Sequence, residues 1–184
     1  MFFVFCSMMR LIMMIEAKKL IGLPVAAIDT QSKIGEISQI LIDPNNGNLM
    51  GFIVSTRGSA NWQIFAPKKI LSITDIRDWD PNGIVTASID NLVEKKEIVR
   101  IKEILDNKIF LLGMSAKTES GKNMGVIDDL LIDTENQSVQ KYYLRDLLGN
   151  SRIFLSNKVL KINKVIVFSD DVAEPPTGAA GAVA

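Results

Sequence analysis

The sequence predicts a mainly all-β protein: two tandem small β-barrels joined by a short helical linker. Three observations carry this reading. Residues 34–43 (IGEISQILID) and 124–133 (MGVIDDLLID) are identical at five of ten positions, at an offset of 90 residues. A second pair, IFAPKKIL (64–71) and IFLSNKVL (153–160), follows in the same order at an offset of 89, with a one-residue slip between the blocks. This is the pattern of a duplicated domain of about 60–70 residues. Around both copies, short apolar runs alternate with Gly-, Asn- and Pro-bearing turns, which is the rhythm of small barrels and not of βαβ units.

In the first copy, LPVAAI (23–28) reads as a short strand and DTQSK (29–33) as a turn. IGEISQILI (34–42) is a second strand, closed by Asp43-Pro44-Asn45-Asn46-Gly47, where Pro fixes φ and Asn-Gly tolerates positive φ. LMGFIVS (49–55) is its expected antiparallel partner. WQIFA (62–66) reads as a further strand, ended or placed on an edge by Pro67. ILSITDIRDWD (70–80), the turn Asp80-Pro81-Asn82-Gly83 and IVTASI (84–89) make a final hairpin. The second copy runs in the same way: FLLGMSAKT, the turn ESGKN, MGVIDDLLID, the turn TENQS, VQKYYLRDL, the turn LGNS, then IFLS and VLKINKVIVFS.

Between them, residues 91–108 hold no Gly or Pro, and Ile98, Ile101, Ile104 and Leu105 recur at helical spacing. Asn91 followed by Glu94 resembles an N-terminal cap. The division is therefore an N-terminal extension (1–14), a first barrel (15–90), an amphipathic linker (91–108), a second barrel (109–172) and a disordered tail (173–184).

Charge is balanced, 21 basic against 21 acidic residues, and balanced locally: seven and seven over 15–80, five and five over 84–108, eight and eight over 109–171. Binding nucleic acid through bulk charge needs a basic excess on some module, so DNA is disfavoured. The chain has no histidine and a single cysteine, Cys6, so it lacks the commonest general base, a redox pair and a zinc-ligand set. No catalytic residue, cofactor or metal site is expected, and the cysteine usage suits a cytoplasmic protein. The apolar start, MFFVFCSMMRLIMM, is interrupted by Arg10 and is too short to span a bilayer. It reads as upstream of a natural start near Met13 or Met14, with a short membrane-associating anchor as the alternative.

The repeated motif offers paired carboxylates, Asp43 and Asp133, and paired glycines, Gly35 and Gly125. An Asp opening a turn caps backbone N–H groups, and a Gly at a strand start serves a bulge or a close approach, so these four read as scaffold. The Asp43 loop does not bind calcium by the twelve-residue rule, because Val54 stands where a bidentate Glu is needed. Asp128 and Asp129 are adjacent and in a regular strand face opposite sides. Of the aromatic residues Trp62, Trp79, Tyr142 and Tyr143, the adjacent tyrosines cannot both face inward. Lys158, Lys161 and Lys164 read as a solvated strand surface.

The order of a turn, (I/M)G-x-I-x-x-(I/L)LID, a polar turn and an apolar strand resembles the PRC-barrel family. That domain is shared by the photosynthetic reaction centre H subunit and the ribosome-maturation protein RimM. The resemblance rests on Gly35, Ile37, Leu41, Ile42 and Asp43, and on Gly125, Ile127, Leu131, Ile132 and Asp133. It implies a small barrel used for contacts with proteins or RNA–protein particles. Neither specialised role transfers whole, since the chain has no long transmembrane helix and carries a second copy in place of RimM's separate N-terminal barrel. The expectation is a non-enzymatic adaptor with a protein partner. The alternative is an RNA- or ribosome-associated factor. Candidate contact residues lie where the copies differ: Asp128, Asp129, Tyr142 and Tyr143.

Overall fold

Eleven-residue strands form at the two repeated motifs because alternating Ile and Leu side chains give each one a buried face. The computed structural model describes residues 14–56, 68–94 and 99–170. In the first copy the strands are β2 (Pro24–Ala27), β3 (Ser32–Ile42), β4 (Leu49–Ser55), β5 (Lys68–Ser72), β6 (Ile76–Asp80), β7 (Gly83–Thr86) and β8 (Leu92–Val93). In the second they are β9 (Ser115–Thr118), β10 (Asn123–Asp133), β11 (Ser138–Arg145), β12 (Ser151–Leu155), β13 (Val159–Ile162) and β14 (Ile166–Phe168). A short strand β1 (Met14–Glu16) and one helical turn α1 (Ala17–Leu20) precede them, and helix α2 (Val99–Asp106) lies between the copies.

Two sheets result, one of them a curled half-barrel, and the duplication is written in their topology. The first runs β6-β7-β2-β3-β4-β5-β8, and the second runs β13-β14-β9-β10-β11-β12. Each has one parallel pair at the same place, β2 with β7 and β9 with β14. Both long strands carry bulges at the same two places, after Ile37 and Leu41 in β3 and after Ile127 and Leu131 in β10. The mostly β, two-sheet architecture is the one the strand pattern predicts.

Four local expectations change. Only Val99–Asp106 of the linker is helical among the described residues, and Ile98 lies outside them. Asn91 ends a 3-10 turn capped by Ser88, and Leu92–Val93 pair with Leu71 and Ile70 instead. Pairing the free edge of β5 and burying Leu92 outweigh the local helical periodicity. ILSITDIRDWD is two strands, broken at Ile73–Asp75 where the Ser72 hydroxyl accepts from the Thr74 N–H. The match of 64–71 to 153–160 does not hold in the sheets: Gly51 pairs with Ser72 and Lys141 with Leu155. Because Gly51 and Lys141 are 90 apart, Ser72 corresponds to Leu155, and the first copy has the longer β4–β5 connection. Finally, Met14–Glu16 opens the first copy in sequence yet pairs with Leu131–Asp133 of the second sheet. WQIFA, Pro67, residues 1–13 and the tail lie outside the described residues.

The copies meet about a local two-fold axis. The Leu49 N–H donates to the Gln137 carbonyl at 2.7 Å, and the Val139 N–H donates to the Gly47 carbonyl at 3.0 Å. Shifting either bond by 90 residues gives the other, and Asn48 bridges to its own counterpart Ser138. This is the geometry of an isologous interface within one chain. A single apolar cluster runs through it, including Leu20, Ile37, Ile40 and Phe52 from one side and Leu111, Ile127, Leu130 and Tyr142 from the other. A smaller cluster, Leu41, Ile53 and Ile70, is covered by Ile101 and Ile104 of α2.

Candidate interaction site

Asp43 and Asp133 each close a long strand and are buried. The Asp43 carboxylate accepts from the Asn45 N–H at 2.9 Å and from the Asn45 side-chain amide at 3.0 Å. Asp133 accepts from the N–H groups of Glu135 at 2.9 Å and Asn136 at 3.1 Å, and from the Asn136 amide at 2.7 Å. The Asn136 backbone N–H, and after it the Asn136 amide, hold the Asp133 carboxyl below the usual aspartate range. Both act as turn caps. Gly35 and Gly125 lie where β3 and β10 pass close to their neighbours. An added Cβ would come 2.8 Å from the Ser55 carbonyl oxygen at Gly35, and 2.2 Å from the Arg145 carbonyl oxygen at Gly125.

Asp128 and Asp129 are brought together by the structure, against the expectation of opposite faces. The bulge between Ile127 and Asp129 breaks the two-residue period. Lys18 of α1 then engages both: its Nζ lies 2.8 Å from Asp128, and its backbone N–H donates to Asp129 at 3.0 Å. Arg145 pairs with Asp128 from β11. The Lys18 hydrogen bond leads in keeping the Asp128 carboxyl below its ordinary range. In the first copy the corresponding residues, Ser38 and Gln39, line a cleft with Phe110, Leu111 and Leu112. The segment leading into each copy thus lies against the long strand of the other. The copies differ here because a basic leader meets carboxylates on one side and an apolar leader meets neutral side chains on the other. Asp128 and Asp129 are a latch between the copies.

Tyr142 is a correction. It is 1% exposed, packed edge-on against Phe168 at 5.5 Å, and burial pushes its hydroxyl up. β11 turns Tyr142 into the barrel and leaves Tyr143 half-buried on the other face. There burial, then the carboxylates of Glu16 and Asp129, raise the Tyr143 hydroxyl. Trp79 packs edge-on against Phe52 at 5.6 Å, and Trp62 lies outside the described residues.

Residues 13–104, half of the chain, match the family model of the PRC-barrel domain. The chain belongs to the PRC-barrel family. No curated protein matches it significantly. The family match extends into α2 as far as Ile104, in keeping with the packing of Ile101 and Ile104 on the first sheet. A PRC barrel is a module often found in protein-interaction roles. Among the described residues no helix is long and apolar enough to cross a membrane.

Two surface features of this PRC-barrel protein escaped the sequence reading. Leu147 and Leu148, at the tip of the β11–β12 hairpin, are 102% and 87% exposed. Their loop is held by Asp146, which accepts from the N–H groups of Leu148 and Asn150, both at 2.9 Å, and from the Asn150 amide at 3.0 Å. The signal was two consecutive leucines inside a turn, which strand and turn patterning had divided between two elements. The second feature is a lysine-lined cleft on the second sheet, where Lys117 joins Lys161 and Lys164.

Proposed function

We propose that this PRC-barrel protein is a non-enzymatic adaptor that works in the cytoplasm by holding a protein partner. The observation that carries the reading is the Leu147–Leu148 tip. Two leucines in water leave unused about 1.5–3 kcal/mol of burial each, and the capped Asp146 loop presents them without disorder to overcome. Preorganised apolar anchors of this kind suit a pocket on another protein. The carboxylates singled out by the repeat have other work, two as turn caps and two as the latch to α1, which leaves them poorly placed as acid–base catalysts.

Affinity capture from the source cell tests this, with wild type compared with Leu147→Ser/Leu148→Ser. The wild type is expected to retain a stoichiometric protein partner. The variant, with an unchanged melting temperature, is expected to lose it. Recovery of the bait alone under conditions that preserve weak complexes overturns the reading.

A further inference from the structure

We propose that the cleft rimmed by Lys117, Lys161 and Lys164 binds an acidic segment of a partner protein that also carries aliphatic side chains. The proposal rests on the adaptor reading and names the chemistry of what the adaptor holds. In the second sheet β9, β14 and β13 lie side by side, and Val167 is in register with both Lys117 and Lys161. In-register residues on adjacent strands share a face about 4.8 Å apart, so these three form one row. The β13–β14 turn adds Lys164 and Val165, and Ile109 reaches the cleft from the connection after α2. The cleft is open to solvent and has a volume of about 550 Å³, with Ile109, Val165 and Val167 as its apolar lining and the amides of Asn107 and Asn163 beside the lysines. That volume is within the size range of ligand-holding clefts.

All three lysines are exposed, and none has an ion-pair partner among the described residues. No carboxylate lines the cleft. Three ammonium groups around one apolar lining repel one another, and an incoming anion relieves that repulsion.

The first copy shows that the barrel itself does not need this arrangement. Its corresponding row, by the same registers, is Ala26–Val85–Asp78. The lysines are thus a property of the second copy alone. The apolar part of the cleft is aliphatic, with no aromatic ring lining it to stack a base, and the whole chain has zero net charge. A carboxylate-bearing peptide fits better than RNA, because its acidic groups match the rim and its aliphatic groups match the apolar lining.

The test is fluorescence anisotropy of the full-length protein with a labelled peptide of alternating Glu and Leu. Labelled single-stranded RNA and inorganic phosphate are run alongside. The peptide is expected to bind the wild type and to weaken with salt. Binding is expected to fall about tenfold or more in Lys117→Gln/Lys161→Gln/Lys164→Gln, the scale for charges at a binding rim acting together. Lys33→Gln/Lys122→Gln, removing exposed lysines that do not line the cleft, should bind as the wild type does. Peptide binding that survives the triple substitution overturns the proposal. So does RNA binding tighter than the peptide, full displacement by phosphate, or no peptide binding at all. If the cleft fails while the wild type still captures a partner through Leu147 and Leu148, the adaptor reading stands. If no partner is captured, the adaptor reading itself fails.

Discussion

At Gly125 the backbone has φ +96°, and an added Cβ would come 2.2 Å from the Arg145 carbonyl oxygen. Both the conformation and the space exclude a side chain. Gly121 also has positive φ, +89°, but nothing lies within 4 Å of its missing Cβ. Gly125→Ala should therefore cost about 3 kcal/mol or more, while Gly121→Ala costs about 1 kcal/mol, as urea denaturation of the two variants will measure. Equal losses would mean that conformation alone, and not the approach of β11, fixes Gly125. Asp133 makes a prediction in pH. Its folded carboxyl is held below the ordinary aspartate value by Asn136 and Glu135. Its contribution is therefore fully present above the unfolded aspartate pKa of about 3.9 and is lost as pH falls through the lower folded value. Asp133→Asn should cost about 1–2 kcal/mol at neutral pH and flatten the acid limb of the stability curve, since a neutral amide has no proton to gain. Denaturation midpoints from neutral pH to pH 2 check both the size and the slope.

The elements show how locally legible structure gave way to packing between copies. β3, β4, β10 and β11 could be read directly, because an alternating apolar strand followed by an Asp-led turn needs no tertiary information. Tyr142 and Leu92 could not be read in the same way. Which of two adjacent tyrosines turns inward depends on strand register, and Leu92, inside the segment assigned to the helical linker, is claimed by the edge of β5. The Asp128–Asp129 pair was legible as a difference between copies, but its cause lay 110 residues upstream in Lys18, beyond any local pattern. The hairpin leucines were masked by turn chemistry and the cleft by strand order, since Lys117 and Lys161 meet only through β14. The latch itself should be modest in energy. The Lys18 and Asp128 side chains are 50% and 29% exposed, so a double-mutant cycle with Lys18→Met and Asp128→Asn is expected to give a coupling under about 1 kcal/mol. A much larger value would mean that α1 docks through its charge and not through buried Leu20 and Ala17.

At the scale of the whole molecule, the duplicated sequence need not give two independently stable bodies. Each copy is near the size at which one core is marginal. The main cluster does not divide at the linker: Leu20, Ile40 and Phe52 share it with Leu111, Leu130 and Tyr142. Paired backbone bonds cross the local two-fold axis, and β1 lends the first copy's leading segment to the second sheet. Separating the copies would expose this cluster and break those bonds together, so they should unfold as one cooperative unit. Both tryptophans, Trp62 and Trp79, belong to the first copy, so their fluorescence reports that half. Leu130 is buried in the second copy, and Leu130→Ala should cost about 2–5 kcal/mol. If the core is shared, that substitution moves the tryptophan midpoint as far as it moves the far-ultraviolet circular dichroism midpoint, and calorimetry records one peak. A tryptophan transition left at its wild-type midpoint, or a second calorimetric peak, would show two separable barrels and refute the shared core.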